Sequence, residues 1–159
     1  MKTLLVGMGN PILCDDAVGI RLAGALAERL GPRPDLEVLG ECSVGGLNLV
    51  EVFAGYDRVV VLDSIITGGG TPGTWYAFDA RSLRETLNLR NVHDLNFATA
   101  LELGRTMGTA LPVDEEIRVF AVEVADTATF SETMSDELEA AFPELVAEIG
   151  AEVEALLRG

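Results

Sequence analysis

The chain has 159 residues, enough for one domain with a sizeable core, and about half of them are apolar. Its 26 acidic and 11 basic residues leave a net charge of −15, which argues against nucleic acid and anionic membranes as partners. The two cysteines, Cys14 and Cys42, have no metal-ligand spacing and make no disulfide framework. No run reaches transmembrane length, and the N-terminal apolar stretch is too short and too glycine-broken for a signal peptide, so a soluble cytoplasmic protein is expected.

In chain order, "TLLVGMG" (Thr3 to Gly9) is a short continuous apolar run ending in glycines, the pattern of a buried parallel strand. From Asp16 the pattern turns helical, with Val18, Leu22, Leu26 and Leu30 every four residues and Gly31-Pro32 as the stop. "LEVLG" (Leu36 to Gly40) reads as a second strand, and Gly45 to Gly55 as a short helix closed by Gly55. "RVVVLDSI" (Arg58 to Ile65) is the clearest strand, apolar until Asp63. "TGGGTPGT" is a loop, and "WYAFD" (Trp75 to Asp79) a strand at an edge.

"RSLRETLNLRN" is polar and without a clear period. His93 to Gly108 is expected to be helical, with Leu95, Thr99, Leu103 and Met107 on its apolar stripe. Ile117 to Val124 is another buried strand. The tail carries Leu138, Phe142, Leu145, Val146, Ile149, Val153 and Leu156 at helical spacing, with Pro143 expected to break it and restart a helix. Strands alternating with helices predict an α/β sandwich with a mainly parallel sheet, and without a linker or repeat residues 1–159 are expected to form one domain.

The turn "GMGNPILCDD" is half of a dinucleotide fingerprint. Gly7 and Gly9 fit G-x-G-x-x-G, but the third glycine falls on Ile12, and Asp15 and Asp16 would repel a pyrophosphate. No Gly-Lys-Ser/Thr follows, which excludes a P-loop. Other chemistry fits better. In parallel α/β sheets function gathers at the carboxyl ends of the strands, and Asp16, Asp63 and His93, the only histidine, all have that placement.

Two carboxylates and an imidazole make an O,O,N set for a divalent transition metal with open positions. Each also has a structural reading: Asp15 and Asp16 as acids at a helix start, Asp63 as a turn cap, His93 as a helix-start residue. Ser43 and Ser64 lie in no G-x-S-x-G elbow, and Cys14 reads more readily as a small buried residue than as an activated thiol.

With those residues in view the sequence resembles the hydrogenase maturation protease family, the endopeptidases that trim the C-terminus of the [NiFe]-hydrogenase large subunit. "GMGNPILCDDAVG" is similar to the family's G-x-G-N-x-x-x-x-D-[DE]-x-x-G opening. The likeness continues through "YDRVVVLDSI", "GGTPGTWYAFD", "HDLNFATALELGRTMG" and the C-terminal "F-x-E-x-x-S" segment with its closing helices.

The resemblance implies a three-layer α/β/α sandwich with a twisted, mainly parallel five-stranded sheet. It also implies that the family's metal-contacting and catalytic acid, acid and histidine fall on Asp16, Asp63 and His93, with Asp15 a helix-start acid. It further implies a large-subunit precursor as protein substrate, carrying nickel that the protease recognises but need not hold itself. "ECSVGG" (Glu41 to Gly46) departs from the family's Asp-Gly-Gly-Thr-like turn, which leaves the hydrogenase class open.

Hydrolysis would then proceed by nickel-assisted chemistry, or by Asp16 or Asp63 as general base, with backbone N–H groups of the Gly7–Asn10 turn as oxyanion donors. The rival is a non-catalytic nickel-binding accessory protein or metallochaperone using the same three residues. A related α/β peptidase with another substrate is a third reading.

Overall fold

A computed structural model describes residues 1–43, 48–85 and 92–159, with side chains described for 1–43, 48–83 and 97–159. The elements run β1 (Thr3–Met8), α1 (Val18–Leu30), β2 (Leu36–Cys42), α2 (Asn48–Phe53), β3 (Arg58–Ile65), β4 (Trp75–Asp79), α3 (Ala80–Glu85), α4 (Val92–Thr106), β5 (Ile117–Glu123) and α5 (Asp136–Arg158). A 3₁₀ turn over Cys14–Ala17 leads into α1. The five-stranded sheet has the order β2-β1-β3-β5-β4. Every pair is parallel except β4–β5, so the sheet is mixed, with one antiparallel edge.

The central strands are apolar without interruption because they are covered on both faces. Leu5, Val60, Leu62, Phe120 and Val122 point into one layer, against α1 and α5 through Leu22, Leu26, Leu138, Leu145, Ile149 and Val153. Their chain neighbours Leu4, Val6, Val59, Val61, Ile117 and Val119 point into the other, against Leu49, Phe53, Phe97 and Leu101. This alternation makes the three-layer α/β/α arrangement expected from the sequence. The chain leaves β1 toward β2 on one side and returns as β3 on the other. The strand order therefore reverses between β1 and β3, the place where open α/β sheets carry a crevice at the carboxyl ends of their strands.

Close approach at that crevice depends on two glycines. Gly9 has φ 135°, and a Cβ there would run into the carbonyl of Asp16. A Cβ on Gly19 would meet the backbone carbonyls of Leu62 and Met8, so α1 can cross β1 and β3 only with glycine at that position. The glycine that ends the "DDAVG" run thus supplies the close packing that a dinucleotide fingerprint would draw from its third glycine.

Two sequence expectations need correction. Leu103 on α4 and Met107 just past its end are 41% and 75% exposed, and Thr99 is exposed; the buried stripe is Phe97, Ala100, Leu101 and Gly104. The step of four residues fitted two stripes, and the larger aromatic, Phe97, takes the core by packing edge-on against Phe53. Leu95 lies outside the residues whose side chains are described.

Pro143 does not break the tail: α5 continues through it. Proline removes one intrahelical hydrogen bond. Leu138 before it and Leu145 after it share one buried stripe, so breaking the helix would withdraw one of them from the core. Of the polar segment, Ala80–Glu85 is helical, capped by Asp79, whose Oδ1 accepts from the Ser82 N–H and hydroxyl at 2.8 Å each. Residues 86–91 lie outside the described residues.

Candidate active site

The loop after β1 folds back on itself. Asn10 Oδ1 accepts the Ile12 N–H at 3.1 Å, and the Leu13 N–H returns to the Asn10 carbonyl at 3.3 Å. The loop then enters the 3₁₀ turn that carries Asp16. Both Asp16 oxygens are engaged: Oδ2 accepts the Asn10 N–H at 2.9 Å, and Oδ1 accepts the Ser64 hydroxyl at 2.9 Å. The Ser64 N–H in turn donates to Asp63 Oδ1 at 2.7 Å. Ser64 therefore ties together the two carboxylates that the sequence singled out, one through its side chain and one through its main chain. Both acids are partly exposed at the crevice between β1 and β3.

His93 lies in the first turn of α4, on the sheet face that Asp63 shares with Val59 and Val61. Its side chain lies outside the described residues. Among the described residues no group of three metal-ligating side chains converges. Asp16 and Asp63, linked through Ser64, each offer hard oxygen donors of the kind that suit a divalent metal. A carboxylate has about four lone-pair sites, so one that accepts hydrogen bonds from its supports can still present an oxygen to a ligand.

Asp15 has a different task from its neighbour. It is fully buried, and its carboxylate accepts the N–H groups of Ala125 and Asp126 at 3.2 Å each, the Ser135 N–H at 2.7 Å and the Ser135 hydroxyl at 3.0 Å. Ser135 is the residue preceding α5. Asp15 is thus an acid at a helix start, but the helix is α5, and the carboxylate staples the 3₁₀ turn to the segments that follow β5.

One sequence reading changes at this loop and another is borne out. The turn amides were expected to serve as oxyanion donors; the Gly9 N–H instead bonds the Cys42 carbonyl at 3.3 Å, and the Asn10 N–H is taken by Asp16. Cys14 is buried, and its thiol is pushed up from its ordinary value by burial first and then by the charges of Asp15 and Asp126. A thiol held neutral in this way is a poor nucleophile, which favours the reading of Cys14 as a packed residue.

Sequence reasoning did not single out Ser64 as a link between acids, nor Glu123 at the end of β5. Glu123 is 1% exposed and accepts from Thr67 and Tyr76. Its signal was available as one acid inside the otherwise apolar "VFAVEV". Glu41, in the atypical turn, is exposed at the end of β2, and Val44 to Gly46 lie outside the described residues.

Residues 20–152 match the profile of the family described as hydrogenase maturation protease, a span of more than half the chain. The chain belongs to the hydrogenase maturation protease family. The Hydrogenase 2 maturation protease of Escherichia coli (strain K12) is 32% identical over 74 residues, 46% of this chain and 44% of that protein, so the alignment spans less than half of that relative.

The fold is shared with solved structures. The hydrogenase maturating endopeptidase HybD from Escherichia coli superposes with a TM-score of 0.78 at 23% identity, over 98% of this chain and 93% of that one. The [NiFe] hydrogenase maturation protease HybD from Thermococcus kodakarensis gives 0.71 at 24% identity, over 96% and 99%. The peptidase class expected from the sequence is the class for which the family and these relatives are named. No helix among the described residues is long and apolar enough to cross a membrane.

Proposed function

We propose that this protein is the endopeptidase that removes the C-terminal extension of a nickel-loaded [NiFe]-hydrogenase large-subunit precursor in the cytoplasm. Family membership supports the reading, and the observation that carries it is the Asp16–Ser64–Asp63 linkage at the crevice between β1 and β3. Nickel belongs to the substrate. Asp16 and Asp63, with His93 from the first turn of α4, complete the coordination of a metal presented by the precursor and so recognise that loading is finished.

Peptide hydrolysis also needs an activated water. A partly exposed carboxylate whose orientation is fixed can take the proton from water, and a divalent metal beside it lowers the pKa of that water. Both routes pass through Asp16 and Asp63. The test is incubation of the full chain with nickel-loaded and nickel-free precursor, followed by mass spectrometry. Release of a C-terminal peptide from the loaded precursor alone is expected. Stoichiometric nickel binding without any peptide release would instead identify a metallochaperone.

A further inference from the structure

The buried carboxylate of Glu123 takes no part in the chemistry outlined above, yet it anchors the loop that follows β3. In the β3–β5 ladder Asp63 pairs with Ala121 and Ile65 with Glu123. In the β4–β5 ladder Tyr76 also pairs with Ala121. Side chains alternate along strands, so Asp63, Tyr76 and Glu123 project from the same face of the sheet. The loop of residues 66–74 leaves β3 just beyond Asp63 and returns to the sheet as β4. Ile66 at its start is 49% exposed.

Both ends of that loop are anchored on Glu123. Its carboxylate accepts the Thr67 N–H at 2.8 Å and the Thr67 hydroxyl, and the Tyr76 hydroxyl lies 3.4 Å from Oε1. Its main chain accepts the Gly73 N–H at 2.9 Å and donates to the Thr74 carbonyl at 2.7 Å. Between these anchors the loop lies directly on the carboxylate, for a Cβ on Gly70 would overlap Glu123 Oε1. A carboxylate with 1% exposure stays buried at a cost that three donors offset only while the loop is in place.

We infer that Glu123 is a positioning residue that holds residues 66–70 as one wall of the substrate site beside Asp63. This rests on the peptidase reading above. Asp63 itself is fixed by the strand ladder, so loss of the Glu123 side chain leaves it in place and frees only the wall. The consequence is weaker substrate binding with the chemical step intact. Glutamine at this position can accept the Thr67 N–H through its oxygen and donate to the two hydroxyls, which can rotate to accept. Leucine can do neither.

The test is steady-state processing of nickel-loaded precursor by the full chain, with amide hydrogen exchange as a second readout. In Glu123→Leu, KM should rise about tenfold and kcat stay within about twofold, because a lost set of charge-assisted hydrogen bonds acts on binding alone. Glu123→Gln should restore KM to within about threefold of the parent value. Exchange at residues 66–70 should accelerate in Glu123→Leu and not in Glu123→Gln.

Gly70→Ala, which keeps the carboxylate but displaces the loop, should raise KM as well. A purely structural role would lower the active fraction, and so kcat, with KM unchanged; that result overturns the inference. Unchanged exchange at residues 66–70 in Glu123→Leu overturns it too. If the parent protein leaves the precursor uncut, the peptidase reading fails, and the exchange comparison alone decides whether Glu123 holds the wall.

Discussion

The Ser64 hydroxyl donates to Asp16 Oδ1 at 2.9 Å while the Ser64 amide donates to Asp63 Oδ1 at 2.7 Å. One residue thus sets the relative position of two acids that are 47 positions apart in the chain. In Ser64→Ala the amide contact survives and the hydroxyl contact does not. Processing should fall roughly fivefold in kcat, the equivalent of about 1 kcal/mol for one net hydrogen bond, with KM little changed. Threonine, which restores a hydroxyl, should recover most of the loss. Steady-state kinetics on the three proteins check this, and an alanine variant with parent kcat would show that Asp16 needs no such support.

Asp15 and Asp16 are adjacent and chemically identical, so substitution should separate their tasks. Asp15→Asn turns an amide NH₂ toward a set of main-chain donors in a fully buried site. Urea unfolding should show a loss of about 3 kcal/mol, the range for an unsatisfied buried group that was charged. Asp16→Asn, at a partly exposed position, should leave the unfolding midpoint near the parent value and abolish processing. Equal stability losses in the two variants would count against the division of roles.

Much of this arrangement is legible in the sequence. The β3 boundaries follow from its apolar run, and the edge placement of "WYAFD" from its position after a glycine-rich loop. The acids after β1 and β3 stand out because such strands place polar residues at a functional edge. What the sequence conceals is long-range. Asp15 reaches Ser135 across 120 residues, and no local pattern in "CDDA" shows which of its acids turns inward. The stripe on α4 is ambiguous because two sets of residues four apart coexist, and only contact with Phe53 selects Phe97. Pro143 misleads because a local helix penalty is outweighed by a core stripe that spans it.

Cys14 should be chemically silent. Its thiol is pushed up by burial and by two neighbouring acids, so at pH 7 to 8 it is the neutral form, and deprotonation moves to higher pH than for an ordinary thiol. Iodoacetamide should modify it far more slowly in the native protein than in urea. Cys14→Ala should process precursor at the parent rate. Fast native alkylation accompanied by loss of processing would return the thiol to the list of nucleophiles.

Gly19 carries the close crossing of α1 over β1 and β3. In Gly19→Ala the new methyl meets the Met8 carbonyl at 2.5 Å and the Leu62 carbonyl closer still, and main chain cannot rotate aside as a side chain can. A stability loss of about 3 kcal/mol is expected from such overpacking, read by urea unfolding. Gly24 on the same helix has nothing within 4 Å of its Cβ position, so Gly24→Ala is the control and should be neutral or stabilising.

In the proposed function Asp16 and Asp63 form the centre that recognises the metal and cuts the peptide. The most direct measurement is mass spectrometry of nickel-loaded precursor after incubation with the parent protein, Asp16→Asn and Asp63→Asn, each first shown to be folded. The expected result is release of the C-terminal peptide by the parent and none by either variant. Release by Asp63→Asn at the parent rate would contradict it.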